Sequence, residues 1–182
     1  STEYADVNGD FSIAGSGSIT STLDGVWFDS QNQSGSDASL SQSSTDPYFL
    51  HSEANNNEQY RAQVNGYLQA NVVRDYTLSF APSFPTIGTQ TSFPVKTGVS
   101  GTCNAFYDYS SINFYNAGGG CSNTAFSVIV HHEYGHHLVA VGGSGQGQYG
   151  EGMGDVMGVL ITGDNQLARG FYSNDCVNGI RN

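Results

Sequence analysis

The positions of hydrophobic and polar residues predict a β-rich beginning of the chain. In residues 4–13 an Asn-Gly pair separates two short alternating runs, which is typical of a β-hairpin with a type I′ turn. Residues 18–28 predict a further strand or hairpin. Residues 29–46 are rich in Ser, Gln and Gly and predict an exposed loop. We therefore predict a β-rich N-terminal region over residues 1–45, followed by a second region over residues 46–182 that carries the candidate chemistry described below.

In the second region the spacing of apolar residues predicts three helices. Residues 55–76 predict a long amphipathic helix, residues 124–141 a second helix, and residues 151–161 a third. Glycine inside a helix costs up to about 1 kcal/mol, so the glycines of the third helix predict close packing against the second. Strands are predicted over residues 92–99 and 103–115. The apolar face of the first helix is expected to consist of Tyr60, Val64, Tyr67, Leu68 and Val72.

Composition and charge narrow the class of function. The chain has a formal net charge of −11, with 5 Lys and Arg against 16 Asp and Glu. It lacks the basic residues that neutralise phosphates, so we expect neither a nucleic-acid partner nor an anionic membrane surface. No apolar run approaches the roughly 18 residues of a membrane helix. The chain begins at Ser1 without a signal peptide, as a mature or excised product of a secreted protein would.

The chemistry centres on the segment HEYGH at residues 132–136. His132 and His136 are separated by one helical turn, so both imidazoles lie on one face and can reach one ion. Glu133 follows the first histidine and can take a proton from a water activated by the metal, as a general base. The pattern predicts a zinc site in a peptide-bond hydrolase. The flanking His131 and His137 point to other faces and are expected to be packing or surface residues.

Two segments resemble a known family. The sequences HHEYGHHL at residues 131–138 and GEGMGDVMG at residues 150–158 resemble the gluzincin zinc metallopeptidases, most of all the fungalysin family and its bacterial relatives. In the second segment Met153 replaces the usual Trp and Gly154 the usual Ser. The resemblance implies an α+β fold: a thermolysin-like catalytic lobe with a mixed β-sheet and a long active-site helix that carries HExxH.

The resemblance also implies the third metal ligand. In a thermolysin-type site this ligand is a Glu from the following helix, which makes Glu151 the candidate here, with Asp164 as its main rival. Asp155 lies one turn after Glu151 on the same helix face and can accept a hydrogen bond from a ligand imidazole. The alternative for Asp155 is an ordinary carboxylate on the helix surface. Val139 and Gly142 stand where a three-histidine site would need Gly and His.

A strand that binds substrate is implied in the same way. The segment Asn104-Ala105-Phe106 resembles the edge strand of thermolysin-like enzymes, in which the Asn side chain and the Ala carbonyl contact the substrate backbone. Those enzymes also stabilise the oxyanion with a Tyr and a His beyond the third ligand. No His follows Glu151 here, and Tyr149 and Tyr172 are candidates by residue type only.

Cysteines and acidic residues suggest two further features. Cys103 and Cys121 flank a predicted strand pair and can form a disulfide in an extracellular protein, which leaves Cys176 as a free thiol or paired outside this chain. Three reduced cysteines are the alternative. Asp6, Asn8 and Asp10 resemble the start of a calcium loop, but the loop lacks its later Gly and Glu. The hairpin is therefore the favoured interpretation, and calcium stays an open cofactor.

Three functions remain for comparison. The first is a secreted zinc endopeptidase that acts on proteins or peptides. The second is a zinc-loaded but inactive peptide-binding domain, or one chain of a two-chain protease completed by a C-terminal chain or lobe. The third is a structural zinc site, which would need four protein ligands and no open position.

Overall fold

The computed structural model describes residues 1–52 and 54–181, and the chain there forms an α+β fold around a mixed sheet. The predicted fold class is therefore confirmed. The strands are β1 Ile19–Thr22, β2 Phe28–Asn32, β3 Ser39–Gln42, β4 Phe93–Val99, β5 Ala105–Tyr107 and β6 Ile112–Tyr115. The helices are α1 Glu58–Phe80, α2 Ser127–Val141 and α3 Gln148–Thr162.

The main sheet has the strand order β2-β4-β6-β5. Strand β4 pairs in parallel with both β2 and β6, while β5 runs antiparallel to β6 and forms an edge of the sheet. Strands β1 and β3 form a separate antiparallel pair. As an edge strand β5 has a neighbouring strand on one side only, so a further strand can pair with its other side.

Two predictions for the N-terminal region are wrong. Residues 29–46 are not a continuous loop, because β2 reaches Asn32 and β3 lies within them. Strand β2 contains polar residues, so its sequence does not look like that of a buried strand. Ser30 is nevertheless buried, because it is small and its hydroxyl contacts the Gln63 carbonyl. Residues 4–13 form a turn rather than a hairpin. Asp6 accepts backbone hydrogen bonds from Asn8 and Asp10, and the flanking residues meet no partner strand.

The predicted division between residues 45 and 46 stays a prediction, but strand pairing crosses it. Strand β2 lies before that point and pairs along its length with β4, from Phe28 opposite Phe93 to Asn32 opposite Thr97. The main sheet is therefore built from both parts of the chain.

Helix α1 forms where it is predicted, but its buried face differs. The side chain of Asn57 accepts a hydrogen bond from the Tyr60 N–H and so caps the helix start. Leu68 is 48% exposed and Val72 is 36% exposed, although both were expected to be buried. Helix α1 packs against the sheet with the face that carries small residues, because small side chains let the strands approach the helix closely. The buried residues are Ala62, Gln63, Val64, Gly66, Ala70, Val73, Arg74 and Thr77.

Helix α2 is buried on almost every side. It packs against α1, α3, β5 and β6, and Tyr134 at its centre is 1% exposed. Rings from two strands, Phe28 and Phe93, meet Tyr134 edge-on with centroid distances of 5.5 and 5.9 Å. A helix held on several sides by rigid elements keeps its side chains in place, which a catalytic or metal site requires.

Helices α2 and α3 touch through glycine. A Cβ atom added at Gly135 would lie 2.7 Å from the Gly154 Cα, and one added at Gly154 would lie 2.7 Å from Nδ1 of His132. Both distances are far below van der Waals contact, so only glycine permits this approach. The close packing predicted for the third helix is present, and it brings the acidic residues of α3 next to the histidines of α2.

Candidate metal centre

Three side chains from α2 and α3 converge on one point. His132 and His136 lie on successive turns of α2, with their Nε2 atoms 3.2 Å apart. Oxygens of Glu151, in the first turn of α3, lie 3.4 Å from Nε2 of His132 and 3.5 Å from Nε2 of His136. Ligands that surround a zinc ion tetrahedrally at 2.0–2.1 Å are about 3.3 Å apart, so the spacing fits one such ion.

Hydrogen bonds on the other ring nitrogens define the ligand atoms. Nδ1 of His132 lies 2.8 Å from Oδ1 of Asp155, and Nδ1 of His136 lies 2.9 Å from Oε1 of Gln146. Both oxygens are acceptors, so each Nδ1 carries the proton and each neutral ring has its lone pair at Nε2. Two lone pairs and a carboxylate that face each other at this distance repel, and a cation between them removes the repulsion. The donor set therefore fits a divalent metal.

Burial favours the metal-binding form of His132. Burial lowers the pKa of His132, and the neighbouring His136 lowers it further, while Asp155 and Glu151 oppose the shift. A neutral imidazole is the form that binds metal. Among the described residues, His132, His136 and Glu151 form the one group of this composition that can hold an ion. Asp164 is not in this group and instead pairs with Arg169 at 2.6 Å.

Glu133 lines the same cleft and is 6% exposed. Burial raises its pKa to about 8, and the charge of Glu151 adds to this, while Arg181 and a backbone hydrogen bond from Tyr107 act in the opposite direction. A cation held by the neighbouring ligands would favour the ionised form. The residue following the first histidine is therefore a buried carboxyl group in the wall of the cleft that holds the three candidate ligands.

The cleft above these residues has a volume of about 590 Å³. Residues Asn104 to Tyr107 form one side, and β5 is the edge strand of the sheet. Thr124 fixes this strand, because its buried hydroxyl donates to the Asn104 carbonyl at 2.9 Å. The cleft is also lined by six apolar residues, Val128, Ile129, Leu167, Ala168, Phe171 and Ile180.

The tyrosines considered from the sequence do not lie in the cleft. Tyr149 is 56% exposed and Tyr172 is 53% exposed, and neither lines it. Arg181, which the sequence analysis missed, does line it, with Nη2 at 2.9 Å from Asp155 and Nη1 at 3.6 Å from Glu151. No spacing in the sequence connects Arg181 with α3.

Two further residues near the site, Gln146 and Tyr107, were not predicted from the sequence. Gln146 is the one long side chain of the loop GGSGQG at residues 142–147, and this contrast was a signal that sequence reasoning did not use. Tyr107 has its hydroxyl 3.1 Å from Nδ1 of His137, whose Nε2 contacts Gln90 at 2.7 Å. These contacts link the edge strand to the back of α2.

The predicted disulfide is present and the calcium loop is not supported. Cys103 and Cys121 are joined, with their Cα atoms 5.2 Å apart, and Cys176 is an exposed free thiol. The bond ties the start of β5 to the segment that leads into α2. In the described chain Asp6 accepts backbone N–H groups of its own turn, so its carboxylate serves that turn.

Comparisons with known proteins agree with this fold. No protein-family model matches the chain, and no curated protein matches it. Among solved structures the chain is similar to the precursor of protealysin, a metalloproteinase from Serratia proteamaculans, with a TM-score of 0.53 and 17% sequence identity. The match covers 78% of this chain and 45% of that protein, so the chain spans less than half of its length. At this identity the likeness concerns the fold.

Proposed function

We propose that this chain carries the zinc centre of a secreted endopeptidase of the gluzincin type, which hydrolyses peptide bonds in proteins or peptides. The observation that carries the proposal is the set of three ligand atoms from His132, His136 and Glu151, spaced for one ion beside the buried Glu133. The disulfide supports the extracellular setting. None of the described helices has the length and hydrophobicity needed to cross a membrane.

Each residue has a role in this proposal. Zinc bound by the three ligands would polarise the scissile carbonyl and acidify a water molecule. Glu133 accepts the proton and passes it to the leaving nitrogen. The edge strand β5, with Ala105 at its start and Asn104 just before it, aligns the substrate backbone by strand addition. Arg181, beside Asp155 and Glu151, supplies cationic N–H donors in the same cleft.

The decisive experiment uses Glu133→Gln. This variant keeps the shape of the side chain but cannot accept the proton, so casein cleavage should fall by about 10²- to 10⁴-fold. Zinc content should equal that of the unchanged chain, because Glu133 is not a ligand. Chelator-sensitive cleavage by the unchanged chain is the companion result, and cleavage by Glu133→Gln at the full rate contradicts the mechanism.

A second candidate is a zinc-loaded domain that binds peptides without cleaving them, or one chain of a two-chain protease. Two observations favour it: Tyr149 and Tyr172 lie outside the cleft, and the chain spans less than half of its structural neighbour. A C-terminal chain or lobe would then complete the site. Zinc binding and peptide binding without cleavage, followed by activity when a co-purifying chain is added, would establish this alternative.

A further inference from the structure

Gln146 makes two hydrogen bonds to the same residue. Its Oε1 atom lies 2.9 Å from Nδ1 of His136, and its Nε2 atom donates to the His136 backbone carbonyl at 3.0 Å. The carbonyl can only accept, so the amide nitrogen must face it and the amide oxygen must face the ring. Gln146 therefore selects the tautomer of His136 whose lone pair is on Nε2, the atom that faces Glu151.

The surroundings of Gln146 leave space for this contact. A Cβ atom added at Gly150 would lie 2.4 Å from Oε1 of Gln146 and 3.0 Å from Nδ1 of His136. Any larger residue at position 150 would push the amide away from the imidazole. Position 150 therefore needs glycine, because a side chain there would collide with the contact between Gln146 and His136.

The same contact anchors the loop between the two helices. Every other residue of the loop 142–147 is Gly or Ser, so the loop has much backbone freedom to lose on folding. Gln146 holds the end of this loop on α2, and α3 begins at Gln148, just before Glu151. A single side chain therefore orients one ligand and holds the start of the helix that brings another.

We propose that Gln146 is the positioning residue of the metal centre: it orients His136 and seats the start of α3, so that His136 and Glu151 meet at one ion. The inference rests on the proposed zinc site. The Gln146 amide orients His136 as the Asp155 carboxylate orients His132, because each oxygen accepts a hydrogen bond from Nδ1 of its histidine. Such partners of ligand residues typically affect metal affinity by about 10- to 100-fold.

The test compares three variants of the full chain by competition with a chromophoric zinc chelator. Gln146→Met keeps the length of the side chain and removes both hydrogen bonds, and Gln146→Ala removes the side chain. Gln148→Ala is the matched control, because Gln148 is the same residue type, is exposed and has no side-chain hydrogen bond in the described structure. The melting temperature of each metal-free variant checks that it folds.

We expect Gln146→Met and Gln146→Ala to bind zinc about 10- to 100-fold more weakly, and Gln148→Ala to bind it within about twofold of the unchanged chain. The Nδ1 proton of His136, seen by NMR in the zinc-loaded protein, should exchange with water faster in both Gln146 variants. Zinc affinity of a folded Gln146→Met variant equal to that of the unchanged chain would overturn the inference.

Failure of the proposed function gives a different result. If the unchanged chain binds zinc tightly but cleaves no peptide, the proposed peptidase function is wrong, and the role of Gln146 can still be measured. If the unchanged chain binds no zinc, both the proposed metal centre and the proposed role of Gln146 are wrong.

Discussion

Helix α2 carries four histidines, and they lie in two different surroundings. His132 and His136 face the cleft, with Nε2 atoms turned towards each other and Nδ1 atoms held by Asp155 and Gln146. His131 and His137 face the core, where they are 1% and 2% exposed. The four residues have the same side chain and belong to a single helix, so the difference between the pairs comes only from their neighbours.

The core-facing histidines contact neutral amides. Nε2 of His131 lies 2.9 Å from Gln69, and Nε2 of His137 lies 2.7 Å from Gln90. Burial lowers the pKa of each to about 4. The ring of His137 also stacks on Phe93 at a centroid distance of 4.4 Å. These two residues contribute to packing, as the sequence analysis expected.

The comparison teaches that the proposed ligand function depends on the orientation of the ring nitrogens. In the cleft pair, acceptors bind Nδ1 and leave Nε2 free for an ion. In the core pair, the contacted Nε2 atoms point in different directions, towards α1 and towards the loop before β4. A motif search alone cannot distinguish the pairs, whereas their hydrogen-bond partners do.

The largest expected effect comes from removing a histidine of the cleft pair. His136→Ala deletes a proposed ligand, so we expect zinc affinity to fall by more than the roughly 100-fold that a ligand's partner controls. Peptide cleavage should disappear with it. The metal-free variant should melt close to the metal-free unchanged chain, which calorimetry can check. Zinc affinity close to that of the unchanged chain would show that His136 is not a ligand.

Removing a histidine of the core pair should affect stability instead. His131→Ala opens a cavity and leaves Gln69 without its partner, so we expect a loss of about 2–4 kcal/mol in the free energy of unfolding. Zinc affinity should stay within about twofold, since the ring contacts no ligand. Urea unfolding of the metal-free protein and chelator competition measure the two quantities. A large loss of zinc affinity without loss of stability would show that His131 belongs with the metal site and not with the core.

The glycine contact between α2 and α3 offers a smaller test. A Cβ atom at Gly154 would meet Nδ1 and the backbone oxygen of His132, so Gly154→Ala should cost about 1–3 kcal/mol and also weaken zinc binding. Gly152 is the control, because a Cβ atom there meets nothing within 4 Å and the position is exposed. Gly152→Ala should stabilise the helix by up to about 1 kcal/mol. Equal effects of both substitutions would contradict the close approach.

Tyr107 joins the two surroundings and gives the smallest expected effect. Tyr107→Phe removes only the hydroxyl that contacts His137, so we expect a loss of about 1 kcal/mol in the free energy of unfolding. If the contact holds the edge strand in place, the variant should also raise KM for a peptide substrate more than it lowers kcat. Tyr48→Phe is the control, since Tyr48 is 74% exposed and does not line the cleft. An unchanged KM would limit the role of this hydroxyl to packing.

Sequence patterns predicted the parts of the molecule that depend on local geometry. Helices α1, α2 and α3 and strand β4 form close to their predicted bounds, since helical and strand periods are short-range properties. The buried face of α1 and strand β2 were predicted wrongly. Both depend on which surface packs against them: Ser30 and Gln63 are polar by composition but are buried between the helix and the sheet.

The sequence by itself placed His132, Glu133 and His136 on one helix, because their spacing determines which side chains share a face. Family resemblance added Glu151 and Asp155 as expectations for the same site. Only the tertiary structure decided that Arg181 and Gln146 lie beside them, and which histidines contact amides in the core. The physical reason is that these contacts join segments whose proximity depends on helix packing and loop path, and no local period records either of them.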